Sequence, residues 1–165
     1  MKGSVNSLPA FSLHPHFVPS CLRAFVPFPF LPFPMPIKTK RWDDPREADD
    51  GFRLLVCRYR PRGLAKELET WDKWNADLGP SKELHAAAYG KNGFQITWEN
   101  YRRRYLAEMR TQSAAIAALA KRVESGETIT LLCSSACERE SRCHRSLLGE
   151  LIEAQVAGKA GEGDG

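Results

Sequence analysis

Residues 127–151 read ETITLLCSSACERESRCHRSLLGEL. The opening stretch, Thr128 to Cys133, is a nearly unbroken apolar run that follows Gly126, the pattern of a strand buried on both faces. From Leu147 the spacing changes, and Leu147, Leu148, Leu151, Ile152 and Val156 recur at helical intervals. A buried strand that passes through a polar loop into an amphipathic helix is half of a β–α–β unit. Such units build parallel sheets, because parallel neighbours need a long crossover between them.

Working outward, FRLLVCR (Phe52 to Arg58) is a second buried-strand pattern, and IKTKRW (Ile37 to Trp42) reads as a short first strand. Leu64, Leu68, Trp71, Trp74 and Leu78 predict a helix closed by Gly79 and Pro80. Ser81 caps a short helix through Tyr89, and Thr97 caps another with Trp98, Tyr101, Tyr105 and Met109 on one face. Ser113 to Val123 continues as an alanine-rich helix with Ile116, Leu119 and Val123 inward. The expected fold is α/β, a small, largely parallel, Rossmann-like sheet covered by helices. Its two main strands, Phe52 to Cys57 and Thr128 to Cys133, should lie in that one sheet.

The chain has 165 residues, 42% hydrophobic and 27% charged, enough for one domain with a real core. That domain is expected over residues 36–157. Before it, residues 1–35 include FVPFPFLPFPMP (Phe25 to Pro36), where proline excludes helix and interrupts any signal-peptide core or membrane span. They are expected to be a disordered extension, with translation starting at Met35 as an alternative. Residues 158–165 are expected to be a flexible tail. The formal charge of +4 permits an anionic partner without requiring one. Five cysteines, an odd number and mostly clustered, do not form a disulfide framework, and they fit a reducing compartment. No membrane partner is expected.

Ligands of open α/β sheets bind beyond the carboxyl ends of the strands. CRYRPRG (Cys57 to Gly63) and CSSACERESRCHR (Cys133 to Arg145) both fall there. If their strands are neighbours, Arg58, Arg60 and Arg62 face the cysteine loop across one crevice.

Four separated motifs carry a resemblance to a known family. DDPREADDGFRLLVCRYRPRGLAKE, DLGPSKELHAAAYG, WENYRRRYLAEM and TITLLCSSACERESRCHRSLL occur in the order seen in the YeaO-like branch of domain of unknown function 488. The resemblance covers about Ile37 to Ala157. It implies a Rossmann-like α/β fold and a bacterial cytosolic protein, and attaches no reaction to it. Where many relatives read V-D-R-L-W-P-R-G, this chain has Cys57 for the acid and Arg60 for the tryptophan. The family's CHR motif falls on Cys143, His144 and Arg145, and its strand-end cysteine on Cys133.

Three chemistries compete for the cysteine loop. Cys133, Cys137, Cys143 and His144 offer a Cys3His set for zinc, but their spacing is poor, since zinc knuckles place paired ligands about two to four residues apart. No cofactor or metal site is therefore expected, with zinc the alternative. Cys133 and Arg139 stand six apart after a strand, yet the loop lacks the glycines that wrap an oxyanion, so that phosphatase-like spacing is read as chance. Cys143 stands at a helix start beside Arg142, His144 and Arg145, which would favour a thiolate, so Cys143 and His144 are the catalytic candidates, with helix capping and packing an equal alternative. Arg58, Arg62 and Arg145 are the anion-binding candidates. The arginines of YRRRY (Tyr101 to Tyr105) are read as a solvated helix face. Two functions remain open. One is a small enzyme acting on a nucleotide, nucleic acid or other phosphorylated molecule; the other is a non-catalytic module that binds nucleic acid or a protein.

Overall fold

The structure is a computed structural model that describes residues 36–160 except 92 and 138. The expected extension over residues 1–35 lies outside the described residues, as do residues 161–165. The strands are β1 (Ile37–Arg41), β2 (Phe52–Leu55), β3 (Lys73–Trp74) and β4 (Ile129–Cys133). The helices are α1 (Lys82–Ala88), α2 (Trp98–Met109), α3 (Ser113–Glu124) and α4 (His144–Ala160), the last continuing into the stretch read as tail. The strands form one sheet in the order β1-β4-β2-β3, and every pairing is parallel. β4 lies between β1 and β2, in register from Ile37 opposite Ile129 to Arg41 opposite Cys133, and from Phe52 opposite Ile129 to Leu55 opposite Leu132. Its five residues are all buried, as a strand covered on both faces requires.

Because successive strand residues point to opposite faces, the sheet sorts its own contacts. Leu54, Val56, Ile129 and Leu131 face the helices, where they meet Tyr105, Met109, Leu119, Leu148 and Ile152. Leu55, Cys57 and Leu132 pack with Trp71, and Trp42 and Leu64 close over them. The second face also carries charge. Arg53 is fully buried; its Nη1 donates to Asp50 Oδ2 at 3.1 Å and its Nη2 to the Asp44 carbonyl at 3.0 Å. Lys40 Nζ is 2.7 Å from the other Asp50 oxygen, and the Thr130 hydroxyl donates to the Asp50 carbonyl. Burial alone would raise the Asp50 carboxyl, but hydrogen bonds from Lys40 and the Glu47 N–H, with the Lys40 and Arg53 charges, hold it below its ordinary value.

The stretch from Leu64 to Leu78 is not the helix that its apolar spacing predicts. It forms 3-10 turns at Lys66–Leu68 and Ala76–Leu78 around the two-residue strand β3. Its backbone is claimed by the sheet: the Asp72 N–H donates to Arg53 O and the Asn75 N–H to Leu55 O, both at 2.9 Å. Pairing in this way covers the open edge of β2, whose polar groups would otherwise lack partners. The apolar residues consequently part company, with Trp71 buried and Leu68 65% exposed.

The helices on the other face follow the sequence closely. Ser81 Oγ accepts from Leu84 N at the start of α1, and Thr97 Oγ1 from Asn100 N at the start of α2. Trp98, Tyr101 and Tyr105 stack along α2 and the Tyr105 hydroxyl donates to Leu78 O, while Arg102, Arg103 and Arg104 are exposed. Gly79 lies so close to the end of β2 that an added Cβ would sit 2.7 Å from Val56 O and 2.8 Å from Arg58 N. Glycine there lets the chain press against the segment that delivers Cys57 and Arg58.

Candidate functional site

The two stretches that leave β2 and β4 face each other because those strands are hydrogen-bonded neighbours. The pairing persists to the edge, where Val56 N donates to Leu132 O and Trp42 N to Cys133 O. Beyond it opens a crevice of about 1060 Å³. Its walls hold Arg58, Arg60, Arg62, Arg139 and Arg142 and the rings of Tyr59, Tyr89 and Trp98, and Glu99 is the one acidic residue among the described residues that line it. His85 joins the wall between Tyr59 and Tyr89, with ring centroids 5.1 and 4.8 Å away.

The arginines are not equally free. Arg58 donates from Nη1 to the Ala76 carbonyl at 3.1 Å, and Arg60 pairs with Glu69. Arg62, Arg139 and Arg142 are exposed and have no carboxylate partner among the described residues. Guanidinium groups that line a concave wall without acids present their donors to whatever enters it.

Thiols form the floor. The Cys133, Cys137 and Cys143 sulfurs lie within 4.8 Å of one another. Cys133 comes from the strand end, Cys137 from the loop and Cys143 from the residue before α4, and the turn Glu140–Arg142 bends the loop back to bring them together. Cys133 and Cys143 are 1% and 3% exposed. Cys137, although it sits in the loop, is half-buried, with its sulfur 3.2 Å from that of Cys133. A hydrogen bond from Cys133, then one from Cys143, holds the Cys137 thiol well below its ordinary value, and the nearby charge of Arg145 acts in the same direction against the effect of burial. The same contacts push the other two up: Cys133 through its bond to Cys137, and Cys143 through its bonds to both partners and its burial.

Each sequence candidate can now be located. Cys143 and His144 both line the floor, and both are buried. His144 Nε2 lies 2.9 Å from the Val56 carbonyl, so it carries the proton and donates it there, while the ring sits 3.8 to 3.9 Å from the Cys133 sulfur. Burial lowers the His144 pKa, only partly offset by that hydrogen bond, so the ring is neutral near pH 7. Arg58 and Arg62 line the crevice. Arg145 does not; it is 4% exposed, with Nε and Nη1 buried and unpartnered. Sequence reading grouped Cys137 with Cys133, Cys143 and His144 only as the zinc alternative, and it missed Arg139 and Arg142 as walls of the crevice, and His85. The i, i+4 pair His85–Tyr89 marks one helix face, which was a usable signal for the last.

A family model described as "Active DUF488-N3 subclade" matches residues 37–156. The protein named Uncharacterized protein YeaO of Escherichia coli (strain K12) is 36% identical over 104 residues, 61% of this chain and 84% of that protein. Uncharacterized protein Mb3100c of Mycobacterium bovis and Uncharacterized protein Rv3073c of Mycobacterium tuberculosis are each 29% identical over 109 residues, 66% of this chain and 86% of theirs. No solved structure matches. The matched span runs from the first residue of β1 into α4 and takes in both sides of the crevice, and on that ground the chain belongs to the DUF488-N3 family, as a YeaO-like member of domain of unknown function 488.

Proposed function

We propose that the protein is a small enzyme acting on a nucleotide-like molecule, with the phosphate held by crevice arginines and the reacting end placed over the thiol floor. The observation that carries this reading is the composition of the crevice: five arginines, several aromatic rings and a single acid among the described lining residues. Phosphate explains the arginines, since each charge-assisted hydrogen bond to an anion contributes about 1.5–3 kcal/mol. A flat ring explains the aromatic wall, because stacking on such side chains is favourable for any base. The position at the carboxyl edge of a parallel sheet is where such folds bind ligands. The description of the matched family model as active is in keeping with a reaction rather than with binding alone.

In this reading Arg62, Arg139 and Arg142 meet the anion, and Arg58, tethered to Ala76 O, fixes the floor of the anion site. Cys143 and His144 keep their place at the reaction centre, as buried groups that shape it rather than as a free thiolate and base. Titration calorimetry with pyrophosphate and a nucleoside diphosphate tests the assignment. Both should bind, the nucleoside diphosphate more tightly, and Arg62→Ala should weaken both by about tenfold, the equivalent of about 1.4 kcal/mol. Equal affinity in the wild type and in Arg62→Ala and Arg142→Ala would remove the crevice as the binding site. Recovery of every tested phosphorylated ligand chemically unchanged would favour a binding module instead.

A further inference from the structure

We infer that Cys133, Cys137 and Cys143 are a three-thiolate site for a soft divalent metal such as zinc, with its fourth coordination position facing the crevice. This goes beyond the phosphate reading and does not depend on it. The geometry comes first. Sulfurs bound to one zinc at about 2.3 Å in a tetrahedron lie roughly 3.8 Å apart. The Cys133 and Cys137 sulfurs are 3.2 Å apart and all three pairs lie within 4.8 Å, a range that contains that spacing, so small side-chain rotations bring them to it. The backbone already supplies the convergence, since the three sulfurs reach one point from a strand end, a loop and a helix start.

Charge provides the second, independent observation. Arg145, two residues from Cys143, is a buried cation whose Nε and Nη1 have no partner. A buried guanidinium with unpartnered donors is costly to keep. A divalent ion held by three thiolates makes a complex of net charge −1, which places negative charge in the cysteine cluster beside this cation. Three thiolates without a metal would be far too negative for so buried a site, and the ion makes all three tenable together.

The donor set also leaves room for a ligand. Cys137 is half-buried and lines the crevice, whereas Cys133 and Cys143 lie deeper, so access to the metal would be from the crevice side. His144 is occupied with the Val56 carbonyl, and Cys57, although buried in the same cluster, is not within the group of three mutually close sulfurs. Three protein ligands with one open position describe a site that can polarise a bound oxygen, in contrast to a closed structural site.

The test uses the full chain purified under reducing conditions without a metal-chelating tag. Elemental analysis after desalting should find one equivalent of zinc. Titration of the metal-free protein with cobalt(II) should give thiolate-to-metal charge-transfer absorption and tetrahedral visible bands that saturate at one equivalent. Cys137→Ser, chosen because its side chain is only half-buried, should keep the wild-type circular dichroism and weaken cobalt binding by at least about 100-fold. Arg145→Met should weaken it by about tenfold, in the range seen when groups supporting a metal site are lost. Cobalt bands in Cys57→Ser should match the wild type. The proposal is overturned if the reduced wild type binds cobalt no better than Cys137→Ser, or if the only chemistry found is a Cys133–Cys137 disulfide without metal uptake after reduction. Arg62→Ala separates the two readings: it should lose phosphate affinity and keep the metal.

Discussion

Arg53 and Arg145 are both almost wholly buried, 0% and 4% exposed, yet the protein treats them in opposite ways. Arg53 lies under the sheet with both terminal nitrogens engaged, one on the Asp50 carboxylate and one on the Asp44 carbonyl, and Lys40 completes the charge balance around Asp50. Arg145 lies behind the cysteine loop and has no carboxylate within hydrogen-bonding distance among the described residues. Its charge is felt at Asp44 and at Cys137 without a direct bond to either. The first arrangement pairs its charges with one another, with Arg53 Nε left without a hydrogen-bond partner, and serves the fold. The second is left open at the edge where the crevice and the thiols meet, which is how a site built for something absent from the chain would look. The exposed arginines repeat the contrast: Arg46 pairs with Asp72 on the sheet edge, whereas Arg62, Arg139 and Arg142 have no carboxylate partner among the described residues.

Breaking the closed network should have the largest effect. Asp50→Ala leaves two cations without their shared carboxylate, one of them fully buried, and should cost about 3–5 kcal/mol in urea unfolding, the range for removing one partner of a buried pair. A loss under about 1 kcal/mol would mean that the network relaxes into water and is not a structural unit.

The same network sets the acid limit of stability. Asp50 is held below its ordinary value, as is Asp72, where burial is outweighed by hydrogen bonds from Arg46 and the Arg53 N–H. A depressed carboxyl contributes stability that is complete above its unfolded value of about 3.9 and is lost as pH falls through the lower, folded value. Wild-type stability should therefore decline steeply below about pH 4, and Asp50→Asn should flatten that decline while lowering stability at neutral pH. Parallel curves for the two proteins would take Asp50 out of the acid response.

Arg145→Met sharpens the comparison from the other side. Measured with a chelator present, so that bound metal does not contribute, it should leave unfolding free energy unchanged or raise it by about 1 kcal/mol, because it removes a buried charge two of whose nitrogens have no hydrogen-bond partner. A fall like that of Asp50→Ala would show that Arg145 belongs to the structural charges. Arg62→Ala should be smaller still, within about 0.5 kcal/mol, as for exposed side chains generally.

The parts of the fold legible in the sequence were those with a clean period. β4 and β2 announced themselves as unbroken apolar runs, and α2, α3 and α4 as helical stripes, so the parallel pairing of Phe52–Leu55 with Ile129–Leu132 followed from the crossovers between them. Leu64 to Leu78 misled because Leu68, Trp71 and Trp74 have helical spacing, whereas the open edge of β2 competed for the backbone and won. The position of the site was legible, since both rich stretches follow strands. Its content was not. Linear spacing said nothing of how the turn at Glu140–Arg142 folds Cys137 back onto Cys133 and Cys143, nor that Arg145 turns away from a crevice lined by its neighbour His144.

The most direct test of the phosphate reading is a nuclear magnetic resonance titration of the labelled protein with a nucleoside diphosphate, following backbone amides and arginine side chains. Saturable shifts should gather at Tyr59, Arg62, Trp98, Arg139 and Arg142, around the crevice. Shifts confined to Arg102 and Arg103 on α2 and to Arg110 just beyond its end, or no saturable shift at all, would contradict it.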